Sequence, residues 1–139
     1  MSARTVTMEL PEKLYLRLQQ TAQAPQQSFE AIVLRALQVG SPPAWESAPA
    51  EFQTDLAALD RLDDAALWRM ARYRATAVQM DHYQTLLDKN AADTLSTEER
   101  AELARLRTEF DRCMLQKAHA AALLQWRGHQ PPPANKFFP

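Results

Sequence analysis

A chain of 139 residues with a net charge of −1 can form one compact domain or two small ones, and it carries too little charge to coat nucleic acid or membranes by bulk attraction. Only two glycines accompany many leucines and alanines, which favours helices and excludes an all-β fold. The single cysteine, Cys113, excludes a disulfide framework, and no apolar run reaches membrane-spanning length. We therefore expect a cytoplasmic protein that needs no cofactor or metal.

The first predicted element is a strand. Residues 4–10 read Arg-Thr-Val-Thr-Met-Glu-Leu, so that apolar and polar side chains alternate. This period of two is typical of a strand with one buried and one open face. The remaining chain predicts only helices, so the strand's amide and carbonyl groups have no partner within it. We expect the strand to pair with its own copy, which gives an antiparallel ribbon in a dimer.

Two short helices are predicted next. Pro11 suits a first helical position, and the apolar spacing that follows predicts a helix over residues 11–23. Ser28 is a good N-cap for a second helix, which should end at Gly40. The apolar faces of the strand and of both helices form the predicted dimer core. Its members are Val6, Met8, Leu10, Leu14, Leu18, Ile32, Val33 and Leu37.

This order of strand, helix, turn and helix over residues 4–40 resembles the ribbon-helix-helix family of DNA-binding proteins, which includes the Arc and MetJ repressors and many antitoxins. The resemblance implies an intertwined dimer whose ribbon enters the major groove. The implied base-reading side chains are Thr5, Thr7 and Glu9, with Arg4 beside them. It also implies that the backbone amides at Ser28 and Phe29 bind a phosphate.

Residues 41–49 are rich in proline and are interpreted as a linker to a helical domain over residues 50–128. Asp63 predicts a helix start. Thr76 with Gln79, and Ser96 with Glu99, match the capping box and predict two further starts. The helices at about 77–88 and 97–127 should form a long antiparallel hairpin that ends at Gly128. The predicted fold is therefore mainly α, with a ribbon-helix-helix module at residues 1–40.

The predicted tail, residues 129–139, contains three consecutive prolines and the large apolar residues Phe137 and Phe138. Such a tail either binds a groove on a partner protein or frays in solution. The acidic residues of the middle segment either face a basic partner or form a solvated surface with helix caps. They are Asp55, Asp60, Asp63 and Asp64.

No catalytic arrangement is found in the sequence. His82, His119 and His129 lack metal-site spacing, and Cys113 and His119 do not share a helix face. Arg69, Arg72 and Arg74 are interpreted as a solvent-facing basic cluster, and Trp68 as a core residue. The resemblance implies an antitoxin-like transcriptional regulator that binds operator DNA and a toxin-like partner. The alternative is a dimeric adaptor that binds no DNA.

Overall fold

The computed structural model describes residues 3–134, and this range contains six α-helices. They are α1 (Glu12–Gln23), α2 (Phe29–Val39), α3 (Ala50–Leu59), α4 (Asp64–Ala71), α5 (Ala77–Ala91) and α6 (Thr97–Trp126). The prediction of a mainly helical protein is confirmed. The longest helix, α6, has 30 residues and spans the region in which the longest helix was predicted.

The predicted N-terminal strand is wrong. Residues 3–10 form an irregular segment before α1, and residues 3–134 contain no strand. Val6 and Met8, predicted core residues, are 81% and 68% exposed. A strand needs a neighbour that completes its backbone hydrogen bonds, and alternation alone does not supply that neighbour. The fold class is therefore corrected from a ribbon-helix-helix module with further helices to an all-helical fold.

Contacts between Cα atoms divide the chain into two compact units, Met1–Ser41 and Pro42–Pro139. We call them the N-terminal unit and the C-terminal unit. The N-terminal unit contains α1 and α2, and the C-terminal unit contains α3 to α6. Each unit has its own internal packing and is described by itself below.

The N-terminal unit is a pair of short helices with very little core. Ser28 caps α2 by accepting a hydrogen bond from a backbone amide of its first turn, as predicted. Tyr15 of α1 and Phe29 of α2 lie with their ring centroids 5.0 Å apart. Among the described residues of this unit, only Ala22 and Ile32 are buried. Most of its apolar side chains therefore remain in contact with solvent.

Helix α6 is the centre of the C-terminal unit, because α3, α4 and α5 all pack against it. In the main core, Leu67 of α4 and Leu124 of α6 are completely inaccessible to solvent. A smaller core joins α5 to α6, where the rings of Tyr83 and Phe110 meet edge to face with centroids 4.9 Å apart. A single long helix thus carries residues of both cores.

The helix starts of the C-terminal unit follow from local sequence signals. The Asp63 carboxylate accepts a hydrogen bond from the amide three residues later and caps α4. Thr76 with Gln79, and Ser96 with Glu99, form complete capping boxes at α5 and α6. All three predicted starts are confirmed. Because each cap satisfies amides that a helix leaves unpaired, the signal is readable within four residues of sequence.

Helices α5 and α6 run in opposite directions, as the predicted hairpin requires. Lys89 lies 2.6 Å from Glu99, close to the turn, and His82 lies 3.5 Å from Glu102, farther from it. The end of α6 is also as predicted. Gly128 has a φ of +100°, a conformation that favours glycine, and the following amide donates to a carbonyl in the last helical turn.

Candidate functional site

The predicted base-reading residues all lie in the irregular N-terminal segment. Arg4, Thr5, Thr7 and Glu9 are exposed to solvent. Since this segment has no paired strand within residues 3–134, it does not present the flat ribbon face from which these side chains were expected to project. Their exposure leaves them available to a partner, and DNA contact by them stays a prediction.

Phosphate binding by the backbone amides of Ser28 and Phe29, at the start of α2, stays a prediction. The Ser28 hydroxyl accepts a hydrogen bond from the amide of Ala31 at 3.1 Å. Phe29 is half-buried and its ring packs on Tyr15. Ser28 therefore supplies its own helix with an acceptor, and Phe29 stabilises the helix pair.

The predicted dimer core is largely uncovered within one chain. Val6, Met8, Leu14 and Leu37 are exposed, Leu10, Leu18 and Val33 are half-buried, and Ile32 is buried. An open groove of about 910 Å³ lies on the helix pair, lined by Leu18, Ile32, Val39 and other side chains of α1, α2 and the turn between them. This groove and the exposed apolar residues of the same unit are the first candidate site, which we call the N-terminal apolar surface.

The acidic residues of the middle segment mostly act inside the C-terminal unit. Asp55 lies 3.1 Å from Arg112 of α6. The Asp60 carboxylate accepts hydrogen bonds from Trp45 Nε1 at 3.1 Å and from His119 at 2.9 Å. These contacts tie α3 and the turn after it to α6. Neither interpretation of the sequence, a docking surface or a solvated surface with helix caps, included these internal contacts of Asp55 and Asp60.

Asp64 links the start of α4 to the end of α6 and the residue that follows Gly128. Its two carboxylate oxygens accept hydrogen bonds from Arg127 at 2.9 Å and from His129 at 2.7 Å. These two donors, Arg127 first, lower the pKa of Asp64 below its usual value of 3.8. Arg127 also donates to the carbonyl of Leu62, so that one guanidinium joins the α3–α4 turn to the end of α6.

The remaining titratable groups do not form a recognisable catalytic arrangement within residues 3–134. Each histidine lies beside a carboxylate, with His82 3.5 Å from Glu102. Burial raises the pKa of the Cys113 thiol, and the charge of Glu109 raises it further, which disfavours the nucleophilic thiolate. In this part of the chain, no group of three or more potential ligands is placed to bind a metal ion.

A second candidate site lies beside the C-terminal end of α4. The Arg72 guanidinium carbon is 4.7 Å from the ring centroid of Trp68. Lys117 of α6 is only 2% exposed, and its ammonium group donates to the carbonyls of Ala71 and Tyr73 at 2.6 and 2.7 Å. Sequence reasoning missed this grouping, although a lysine within the apolar rhythm of α6 was a detectable signal.

Phe137 and Phe138, the predicted partner-binding residues, lie outside the residues that the structure describes. Across residues 3–134, none of the helices combines the length and the apolar character needed to cross a bilayer. Comparison of the chain with protein-family models, curated proteins and solved structures found no match. The two candidate sites are therefore the features of the described chain that bear on function.

Proposed function

We propose that the protein is a homodimeric adaptor, in which the N-terminal unit joins two copies and the C-terminal unit is a helical scaffold for a partner protein. The observation that carries this proposal is the N-terminal apolar surface. Eight large apolar side chains of the N-terminal unit are exposed, whereas the unit buries only two among its described residues. The exposed residues are Val6, Met8, Leu14, Tyr15, Leu16, Leu34, Leu37 and Val39.

A helix pair of this size needs additional burial to be stable. Domains near 40 residues bury too little surface to offset their conformational entropy, and many of them are stabilised by association. A small unit that exposes eight large apolar side chains has more exposed apolar surface than it buries, which is typical of an interaction surface. Covering it would supply the core that Ala22 and Ile32 alone do not provide.

A second copy fits this surface better than an unrelated protein, because one unit offers both a concave and a projecting part. The groove between α1 and α2 is lined by Leu18, Ile32 and Val39, while Val6 and Met8 project from the irregular segment. The unit is also nearly neutral, so two copies repel each other weakly. Its basic residues are Arg4, Lys13, Arg17 and Arg35, and its acidic residues are Glu9, Glu12 and Glu30.

Val39→Lys tests dimerisation with little risk to the fold. Val39 is 81% exposed and ends α2, where a lysine suits the negative end of the helix dipole. Burying a valine contributes about 1.5–3 kcal/mol, and each dimer carries two copies of the change. We therefore expect the dimer dissociation constant to increase at least about 100-fold.

The matched control is Val78→Lys, which alters an equally exposed valine of α5 in the C-terminal unit. Sedimentation velocity of the full chain over a range of concentrations measures both variants. The proposal predicts a dimer for the natural chain and the control, and a monomer for Val39→Lys at the same concentration. The natural chain should also be measured at concentrations 100-fold higher than those used for Val39→Lys. If it is still monomeric there, dimerisation is contradicted.

The second candidate function is an antitoxin-like regulator that binds operator DNA, and the exposure of Arg4, Thr5 and Thr7 supports it. A dimer would bring two such segments to one duplex, where threonine hydroxyls contact base edges and arginine contacts phosphates. The test is a mobility shift of the gene's own upstream DNA at low salt. Loss of the shift in Arg4→Ala with an intact dimer supports regulation, and no shift for the natural chain supports the adaptor.

A further inference from the structure

Three cationic side chains line one cavity in the C-terminal unit. The cavity has a volume of about 490 Å³ and is lined by Trp68, Arg72, Arg74, Lys117, Gln130 and Pro132. It is formed by the end of α4, the middle of α6 and the chain that follows α6. Among residues 3–134, no acidic side chain lines it, so positive charge is concentrated at this place.

The positive charges have no counterion in the part of the chain that is described. Within residues 3–134, no carboxylate pairs with Arg72, Arg74 or Lys117. Elsewhere in the same unit, Lys89 and Arg127 lie 2.6 and 2.9 Å from acidic partners. The grouping of the three cations is therefore not explained by internal ion pairing.

The positive charge of Lys117 is not balanced by a negative charge within the described residues. Its ammonium group is almost fully buried, and its two partners are neutral carbonyls. Burial lowers the pKa of Lys117 below its usual 10.5, and the nearby positive charge of Arg74 lowers it further. A bound anion would offset both effects.

Two of the three cations, Arg72 and Lys117, are held in place by contacts within the unit. Arg72 lies over the Trp68 ring in a cation–π contact, and the Trp68 ring is packed edge-on against His129. Lys117 is fixed by its two hydrogen bonds to the end of α4. Because Arg72 and Lys117 are already positioned, binding of a ligand loses less conformational entropy in ordering them.

We propose that this cavity binds the phosphate group of a small molecule. Arginine forms bidentate hydrogen bonds with phosphate oxygens, and a buried lysine adds a fixed point charge. The cavity is larger than a phosphate ion and has Trp68 and Pro132 in its wall, so an organic group attached to the phosphate has an apolar surface to contact. This site is independent of the proposed dimer, because every residue that lines it belongs to the C-terminal unit.

Isothermal titration calorimetry of the full chain at low ionic strength tests the proposal with inorganic phosphate, adenosine monophosphate and adenosine. We expect binding of one or both phosphate compounds and none of adenosine. Tighter binding of the monophosphate than of inorganic phosphate assigns the site to an organic phosphate, whereas equal binding assigns it to free phosphate. Absence of binding by both phosphate compounds overturns the proposal.

Arg74→Gln is the informative variant, because Arg74 is exposed and its replacement should leave the core intact. Loss of a charged hydrogen bond should weaken phosphate binding about 10- to 100-fold. Arg69→Gln is the matched control, since Arg69 lies on α4 and lines a different cavity. Unchanged affinity in Arg74→Gln, or an equal loss in Arg69→Gln, would show general attraction to a basic surface and overturn the site.

Discussion

Replacing Lys117 with methionine tests how much its two hydrogen bonds stabilise the fold relative to the free-energy cost of burying its charge. Lys117→Met keeps a long unbranched side chain and removes the ammonium group. Two backbone carbonyls then lose their donor, those of Ala71 and Tyr73, which accept hydrogen bonds of 2.6 and 2.7 Å in the natural chain. Ala71 is the last residue of α4, where a helix leaves its carbonyls unpaired and favours a positive charge, and Tyr73 follows two residues later.

The expected loss follows from how well water can replace the lysine. Ala71 is completely buried, so leaving its carbonyl without a donor should cost about 1–3 kcal/mol. Tyr73 is 40% exposed, so solvent can reach its surroundings and its carbonyl should contribute less. Methionine also avoids the cost of burying a charge, which reduces the net effect. We therefore expect Lys117→Met to lower the free energy of unfolding by about 1–3 kcal/mol at pH 7.

Urea unfolding followed by tryptophan fluorescence is the appropriate assay. The tryptophans of the chain, Trp45, Trp68 and Trp126, all belong to the C-terminal unit, so the signal reports on the unit that contains Lys117. Lys89→Met is the control, because Lys89 forms an exposed ion pair with Glu99 and its loss should cost less than about 1 kcal/mol.

The pH dependence of the same difference gives a second test. The pKa of Lys117 in the folded chain lies below 10.5. Between that pKa and 10.5, the unfolded chain therefore binds more protons than the folded chain does. The stability of the natural chain relative to Lys117→Met should therefore increase with pH in the alkaline range below 10.5. A methionine variant that matches the natural chain, or a difference that does not change with pH, would refute the reasoning.

Two further predictions concern the end of α6. Asp64→Asn should lower the urea midpoint at pH 7; because the pKa of Asp64 is depressed below 3.8, its stabilisation is present above that pH and is lost as pH falls. As pH is lowered, the urea midpoint of Asp64→Asn should therefore fall less than that of the natural chain. Equal dependence of the two midpoints on pH would contradict this. Gly128→Ala should destabilise the C-terminal unit by about 1 kcal/mol in urea unfolding, because its φ is +100°. A Cβ there meets nothing within 4 Å, so an unchanged midpoint would show that the conformation carries no cost.

The helices were predictable because the signals that start and end them are local. Asp63, Thr76 and Ser96 each satisfy amides within their own first turn, and each was identified from a few neighbouring residues. Gly128 ends α6 for an equally local reason, its positive φ. Local hydrogen bonds within one turn depend little on the rest of the chain, and this is why these boundaries agree with the structure.

The N-terminal strand failed for the opposite reason. Alternation over residues 4–10 describes which side chains could share a face, but the hydrogen bonds of a strand depend on a second segment. Residues 3–134 offer no such segment, and the alternating residues remain irregular and mostly exposed. The apolar side chains are the part of that prediction that still needs an explanation, and the proposed dimer interface supplies one without a strand.

Charged residues of the C-terminal unit were the hardest to assign, because their partners are distant in sequence. Asp60 and His119 lie 2.9 Å apart although 59 positions separate them, and Lys117 reaches carbonyls about 45 positions earlier. Once these pairs are known, the charges divide into two groups with different implications. Asp60 and Asp64 hold α6 to the α3–α4 turn, and Lys117 holds the end of α4 and the residues after it to α6. Arg72 and Arg74 beside Trp68 have no carboxylate partner in the described part of the chain. Internal hydrogen bonds account for the first group, and the proposed phosphate ligand would supply the partner of the second.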